Sequence, residues 1–431
     1  MRLSYPRLAG YALGAFGTGV FGTVPTVLLL YFCTQTLAMP PALAAVAVFL
    51  PKIWALLWDP LVGAWSDRTR TAIGRRRPFL IAGGLGVPLA FLGLFAWPYP
   101  HGSAAFPWVA AIYFLLTNAY SLFAVPFIAI PAEISADAAE RERVASWRIG
   151  CAMIGTLIGA GLSPILVRVG GGGQGGYVFM AMVVSTICCA GMLSAFFATP
   201  SMTGASSPVS TPFRVAMRAV FNERPFRRLA AAYILQLTGV GIVSALTPYW
   251  IVQVARRSDD GVGTVLGTML TMTIISVPLW TWALRRFGAR AVIAVAALSF
   301  GCATLGFLIV PVSPSLPSLL LYAMIGLPFA GLQLGPFALA AHLTHAAAAA
   351  SGRRQEGVFT GAWTASEKLG LALGPSVAGL GLALVGFRAG ASVQSQATLQ
   401  GLTLLLAATP TLFVWASLPL LRAETESDSG S

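Results

Sequence analysis

Apolar runs of about 20 residues, the length a helix needs to cross a bilayer, recur along the whole of this 431-residue chain. Twelve can be marked: 9–32, 40–66, 78–97, 106–131, 144–167, 177–198, 228–254, 261–284, 291–311, 317–345, 357–386 and 394–421. Backbone N–H and C=O groups find no water in lipid, so each run must satisfy its own hydrogen bonds as a helix. Composition agrees. Only 10% of residues are charged and 57% are hydrophobic, too little charge to cover a soluble domain. The first run has no small-residue cleavage site behind it and is too long for a signal peptide, so it is expected to remain a span. The sequence predicts an all-α integral membrane protein with twelve transmembrane helices.

The formal net charge of +13 suggests nucleic acid only until the charges are placed. Arginines crowd the N-terminus (Arg2, Arg7), the loops after even-numbered spans (Arg68 to Arg77, Arg141 to Arg148, Arg214 to Arg228, Arg285 to Arg290, Arg353 and Arg354) and the C-terminal end (Arg422). The opposite loops hold Arg168, Arg256, Arg257 and Arg388. Short Arg-rich loops stay in the cytoplasm. Both termini are therefore expected there, in a multi-pass protein of the cell's inner (plasma) membrane. The basic excess faces anionic lipid, and no nucleic-acid partner is expected. The expected partners are the bilayer and a small-molecule solute, with the chain as a monomer. Cys33, Cys151, Cys188, Cys189 and Cys302 lie in or beside apolar runs without ligand spacing and read as packing residues. No cofactor or metal is expected.

Residues 200–228 break the hydrophobic rhythm with a polar, then basic stretch. The expected organisation is a six-helix half over 1–199, a cytoplasmic linker over 200–228, a second six-helix half over 229–421 and a disordered acidic tail over 422–431. The halves echo each other. GAWSDR…GRRRP after the second span answers WALRRFGAR after the eighth; Gly155, Gly159 and Pro164 answer Gly370, Gly374 and Pro375. Repeated halves with a midplane site are a common carrier architecture. The paired glycines let helices approach closely. Phosphate-loop, zinc and nucleophile-elbow patterns are missing from any plausible context, so an enzyme is not expected.

Charges inside the spans are costly and mark pathways or buried pairs. Lysine occurs only as Lys52 and Lys368, both inside runs. Lys52 and Asp59 are seven apart, hence on one helical face and about 10 Å apart along the axis. Glu367 and Lys368 are adjacent and point about 100° apart. His342 and His345, three apart at the end of the tenth span, read as helix-end packing. At the end of the second span Asp67 stands among Arg68, Arg70 and Arg75 to Arg77, where a carboxylate can pair with arginine.

The string DPLVGAWSDRTRTAIGRRRPF (59–79) resembles the loop signature of the major facilitator superfamily, in the expanded form of the glycoside–pentoside–hexuronide:cation symporters. VPFIAIPAEISADAAERERVASWR (125–148) and GRRQEGVFTGAWTASEKLGLALGP (352–375) are similar to the same family. The resemblance implies a major facilitator fold of two six-helix pseudo-repeat halves working by alternating access. It implies a cytoplasmic gate at Gly63, Asp67, Arg68, Gly74, Arg75, Arg76, Glu133 and Arg141. It implies that Asp59 and Lys368 belong to the coupling region and neighbour each other across the halves. Glu367, also inside a span, is a second proton candidate.

Two departures from the family bear on cargo and coupling ion. Sodium-coupled members carry carboxylates where this chain has Ala55 and Ala124, so a proton is the expected coupling ion and a sodium site of the family form is not expected. The family's sugar-binding aspartate corresponds to Gly19 and its stacking tryptophan to Ile128, while Arg148 remains. Arg148, Tyr120, Lys52, Trp363 and Asn118 are the candidate solute contacts. The expected activity is secondary transport of a small solute, a glycoside or other sugar-like or amphiphilic compound. The competing readings are a proton antiporter exporting a metabolite or drug, and a receptor on a carrier scaffold.

Overall fold

The computed structural model describes residues 3–134, 137–200, 223–257, 260–309, 315–351 and 356–421; most of the linker and the acidic tail lie outside them. Twelve long helices stand among the described residues: α1 (Tyr5–Val24), α2 (Pro41–Arg68), α3 (Arg77–Ala96), α4 (Phe106–Ile134), α5 (Ala138–Val169), α6 (Gly173–Ala198), α7 (Arg224–Tyr249), α8 (Asp260–Phe287), α9 (Ala289–Leu305), α10 (Ser315–Ser351), α11 (Glu356–Leu384) and α12 (Gln396–Ala416). Each overlaps one predicted apolar run, with ends that differ by up to several residues. Eleven are apolar enough to count as spans by composition. The exception is α11, the helix that carries Glu367 and Lys368.

Local chemistry explains the ends. Pro41 and Pro78 stand at the starts of α2 and α3, where a missing N–H costs nothing. Asp137 caps α5 by accepting from the Ala139 amide at 3.1 Å. Gly74 turns the α2–α3 loop at φ 99°, a left-handed conformation that glycine adopts without a Cβ clash, and Thr71 Oγ1 donates to its carbonyl at 2.6 Å. Internal prolines, such as Pro51 and Pro60 in α2, are tolerated because neighbouring groups satisfy the freed carbonyls.

The helices sort into two compact units, described separately. The first comprises Met1–Val209, Ser244–Gly267 and Pro375–Leu402; the second comprises Ser210–Val243, Thr268–Gly374 and Thr403–Ser431. In the first unit α1 packs on α5 and α6, and α4 packs on α2 and α3. The α1–α5 crossing is close: a Cβ at Gly19 would meet the Ala152 carbonyl oxygen, and one at Gly155 the Phe16 carbonyl oxygen. In the second unit Gly374 of α11 packs directly on Gly241 of α7. The predicted glycine pairs therefore sit at corresponding crossings, α5 on α1 and α11 on α7.

A second internal echo emerges at two helix ends. α1 and α7 both continue into wider π-type turns, Phe32–Thr36 and Trp250–Val254. Both then stop on a left-handed non-glycine residue, Ala38 (φ 53°) and Arg256 (φ 50°). The closing bonds match: Leu37 N to Phe32 O and Met39 N to Cys33 O, against Ala255 N to Trp250 O and Arg257 N to Ile251 O. The underlying strings are YFCTQTLAM (31–39) and YWIVQVARR (249–257), alike in the Tyr-aromatic pair and the glutamine.

Candidate functional site

In the first unit, α2 directs polar groups to the π-type segment Pro25–Leu29 that follows α1 and to α4. The Lys52 ammonium donates to Thr26 Oγ1 at 3.1 Å. Half a turn further on, and so on the other side of the helix, Trp54 Nε1 donates to Asn118 Oδ1 at 3.1 Å, and the Asn118 amide is oriented by its own bond to the Phe114 carbonyl at 2.7 Å. The Trp54 and Trp58 rings stack with centroids 6.1 Å apart. From α4 the Tyr120 hydroxyl donates to the Thr18 carbonyl of α1 at 3.3 Å. Asp59, next along α2, is half-buried. Arg148 of α5 lies within electrostatic reach of Tyr11, whose hydroxyl donates to the Phe127 carbonyl at 2.8 Å.

α2 and α5 carry unspent donors. An ammonium has three N–H bonds, and Thr26 is the one partner of Lys52 among the described residues. Trp58 Nε1 and Arg148 Nε are buried without an acceptor among the described residues. Buried donors are rarely left so unless something else satisfies them. The arrangement suits a solute rich in acceptor oxygens.

At the Arg-rich face, Asp67 pairs with Arg76 at 2.5 Å. Arg76 is buried and also donates to Ser66 Oγ at 2.5 Å, so one guanidinium ties the end of α2 to the start of α3. Arg68 is exposed, and Arg75 and Arg141 are half-buried. Gly63 lies 3.6 Å, as a notional Cβ, from Val125 of α4. Glu133 belongs to α4, but its side chain lies outside the described ones.

Glu140 is a centre that the sequence reading missed. It is 2% exposed, accepts from the Leu3 amide at 3.0 Å and pairs with Arg143 at 3.0 Å. Asp137-Ala-Ala-Glu140 has the spacing of a capping box, the one signal available. The structure uses Glu140 to hold the N-terminal segment instead.

At the opposite face of the same unit, Tyr249 reaches Thr34 across 2.6 Å, with both side chains fully buried. Tyr31 packs edge-on to Tyr249 at 5.0 Å, and Phe387 closes from the other side at 5.2 Å. The Gly390 amide donates to the Thr34 carbonyl at 2.9 Å. Gly161 of α5 packs on Gly263 of α8, and Gly379 of α11 packs on Ala45 of α2. Segments of α7, α8 and α11 are thus fastened to the first six helices at this face.

In the second unit, Trp363 stacks on Tyr233 with centroids 4.3 Å apart and planes 11° apart. It is 6% exposed within a cluster formed with Phe226, Leu229 and Ala340. The Tyr233 hydroxyl donates to Gln333 Oε1 at 2.7 Å. One turn beyond Trp363, Glu367 and Lys368 are half-buried. Trp363 is therefore walled in on at least one face by Tyr233. His342 is exposed, and the side chain of His345 lies outside the described ones.

The comparisons with known proteins point one way. The family profile described as MFS/sugar transport protein matches residues 10–423. The chain is 26% identical over 407 residues to the putative glycoside/cation symporter YagG of Escherichia coli (strain K12), covering 93% of this chain and 87% of that protein. It is 22% identical over 428 residues to the inner membrane symporter YicJ of the same organism, covering 95% and 89%. In fold it matches the crystal structure of the nucleoside transporter NupG (D323A mutant) with a TM-score of 0.74, at 12% identity, over 97% of this chain and 100% of that one. The chain belongs to the MFS/sugar transport protein family, and it is a multi-pass membrane transporter rather than an enzyme.

Proposed function

We propose that this transporter moves a small, oxygen-rich solute, a glycoside or sugar-like compound, by alternating access, with a proton and not sodium as the coupling ion. The observation that carries this reading is the set of buried donors that Lys52 and Trp58 of α2 and Arg148 of α5 hold in the first unit, whose unspent N–H groups ask for acceptor oxygens. The relative named as a putative glycoside/cation symporter supports the same solute class. Gly19 supports a site unlike that of the galactoside carriers, because the α1–α5 crossing leaves its Cβ no room and hence no place for an acid.

Asp59 is the proton-binding group, and Glu367 and Lys368 are the charges of the other half that take part in coupling. Ala55 and Ala124 are 7% and 4% exposed. They put methyl groups where a sodium site of the family form needs oxygen ligands. The Arg76–Asp67–Ser66 clasp serves the cytoplasmic gate, with both termini on that side of the inner membrane. The Thr34–Tyr249 contact closes the opposite side in this state.

The test is uptake of radiolabelled glycosides into proteoliposomes. An inward proton gradient should raise accumulation, and an inward sodium gradient should not. Sodium-dependent accumulation defeats the coupling assignment. Outward flux driven by the same proton gradient favours export.

A further inference from the structure

Beside the Thr34–Tyr249 contact, the first unit holds a cavity of about 400 Å³, within the roughly 300–1,000 Å³ range of ligand pockets. It is separate from the donors on α2. Its wall comes from the chain that continues α1 through its π-type turns (Tyr31, Gln35, Thr36), the α3–α4 loop (His101) and the start of α6 (Gln174, Tyr177).

The two tyrosines are anchored. Tyr177 stacks on Phe95 with planes 10° apart, and Tyr31 packs against Tyr249. Gln174 donates Nε2 to the Trp97 carbonyl at 3.2 Å, which leaves its Oε1 as an acceptor. Gln35 Nε2 is buried and has no acceptor among the described residues, a donor that is destabilising until an oxygen reaches it. Among the described residues no carboxylate, lysine or arginine lines the cavity.

Amide donor, amide acceptor, hydroxyl and aromatic ring on one wall, without net charge, match a neutral polyol. Its hydroxyls both donate and accept, and its C–H faces pack on rings. We propose that this cavity is a second binding site, on the face opposite the Arg-rich loops, for a neutral polyhydroxylated solute of mono- to disaccharide size. Gln35 is its main donor, and Gln174 fixes the far end. An occupant touches Tyr31, and through it the Tyr249 contact.

The experiment is hydrogen exchange on the purified full chain in nanodiscs, with lactose or sucrose as probes and trimethylamine N-oxide at equal osmolality as control. Inorganic sulfate is the anionic arm. Either sugar should protect backbone amides in 99–104 and 170–176. Gln35→Leu should weaken that effect by about tenfold or more in apparent affinity, with an unchanged thermal melt. Lys52→Met, on α2, should leave it intact. If Gln35→Leu does not fold, Gln174→Ala supplies the same reading. The site is overturned if neither sugar protects these segments, if protection survives both glutamine variants, or if sulfate protects where sugars do not. Protection in a chain that shows no proton-driven flux keeps this site and removes the proton-coupling assignment instead.

Discussion

The Tyr249 hydroxyl lies 2.6 Å from Thr34 Oγ1, with 215 residues of chain between the two, and neither side chain is exposed. Tyr249 and Tyr31 hold equivalent places in the two copies of the helix-end repeat and meet edge to face. The first unit is thus fastened at this face by one residue repeated from each half.

Tyr249→Phe removes that hydrogen bond and keeps the ring packing. Thr34 retains its bonds to the Leu30 and Tyr31 carbonyls. A hydrogen bond of this kind is worth about 1 kcal/mol, so opening at this face should become about fivefold more frequent. Cys33 is fully buried beside Thr34 and reports on it. Its alkylation by N-ethylmaleimide, followed by peptide mass spectrometry, should accelerate to match. An unchanged rate means the contact does not hold the face shut.

Gly19 and Gly22 are one turn apart and should behave differently. A methyl at 19 meets the Ala152 carbonyl, whereas one at 22 meets only Tyr120 Oη at 3.7 Å. Gly19→Ala should cost about 1–3 kcal/mol by overpacking, seen as a lower melting temperature in detergent. Gly22→Ala should be close to neutral. Gly19→Asp should lose stability without gaining galactoside binding. Equal melts for the two alanine variants contradict the close crossing.

Arg76 joins a half-exposed carboxylate to a buried hydroxyl. Arg76→Lys keeps the charge but loses the planar fork, so it should behave almost as badly as Arg76→Ala in uptake. The Asp67→Asn and Arg76→Ala changes share one interaction. Their combined effect on the melt should fall short of the sum by about 0.5–3 kcal/mol. Strict additivity rejects the pairing as a stabilising element.

Asp59→Asn should abolish proton-driven accumulation while solute exchange across the membrane persists in part. Counterflow with labelled solute separates the two. Accumulation that survives in this variant takes coupling away from Asp59.

Arg148→Lys and Lys52→Met should each raise the KM for the transported glycoside by about tenfold or more, since hydrogen bonds to charged groups contribute about 1.5–3 kcal/mol. A KM that does not move in either variant shows that these donors on α2 and α5 do not hold the solute.

The spans, their number and the repeated halves were legible in the chain, because each is a local property. A run of apolar residues declares its own length, and a lipid surround leaves it no other way to satisfy its backbone. The positions of Asp59, Asp67 and the glycine pairs were legible for the same reason. The matching helix ends at Tyr31 and Tyr249 were present in the letters, yet easily lost among apolar residues of similar hydropathy. Tertiary structure decided the rest. It chose Arg76 among five arginines as the partner of Asp67, buried Glu140 against the N-terminal segment, and set Thr34 under Tyr249. Those choices depend on which helix faces meet. Hydropathy, nearly uniform around most of these helices, carries little record of that.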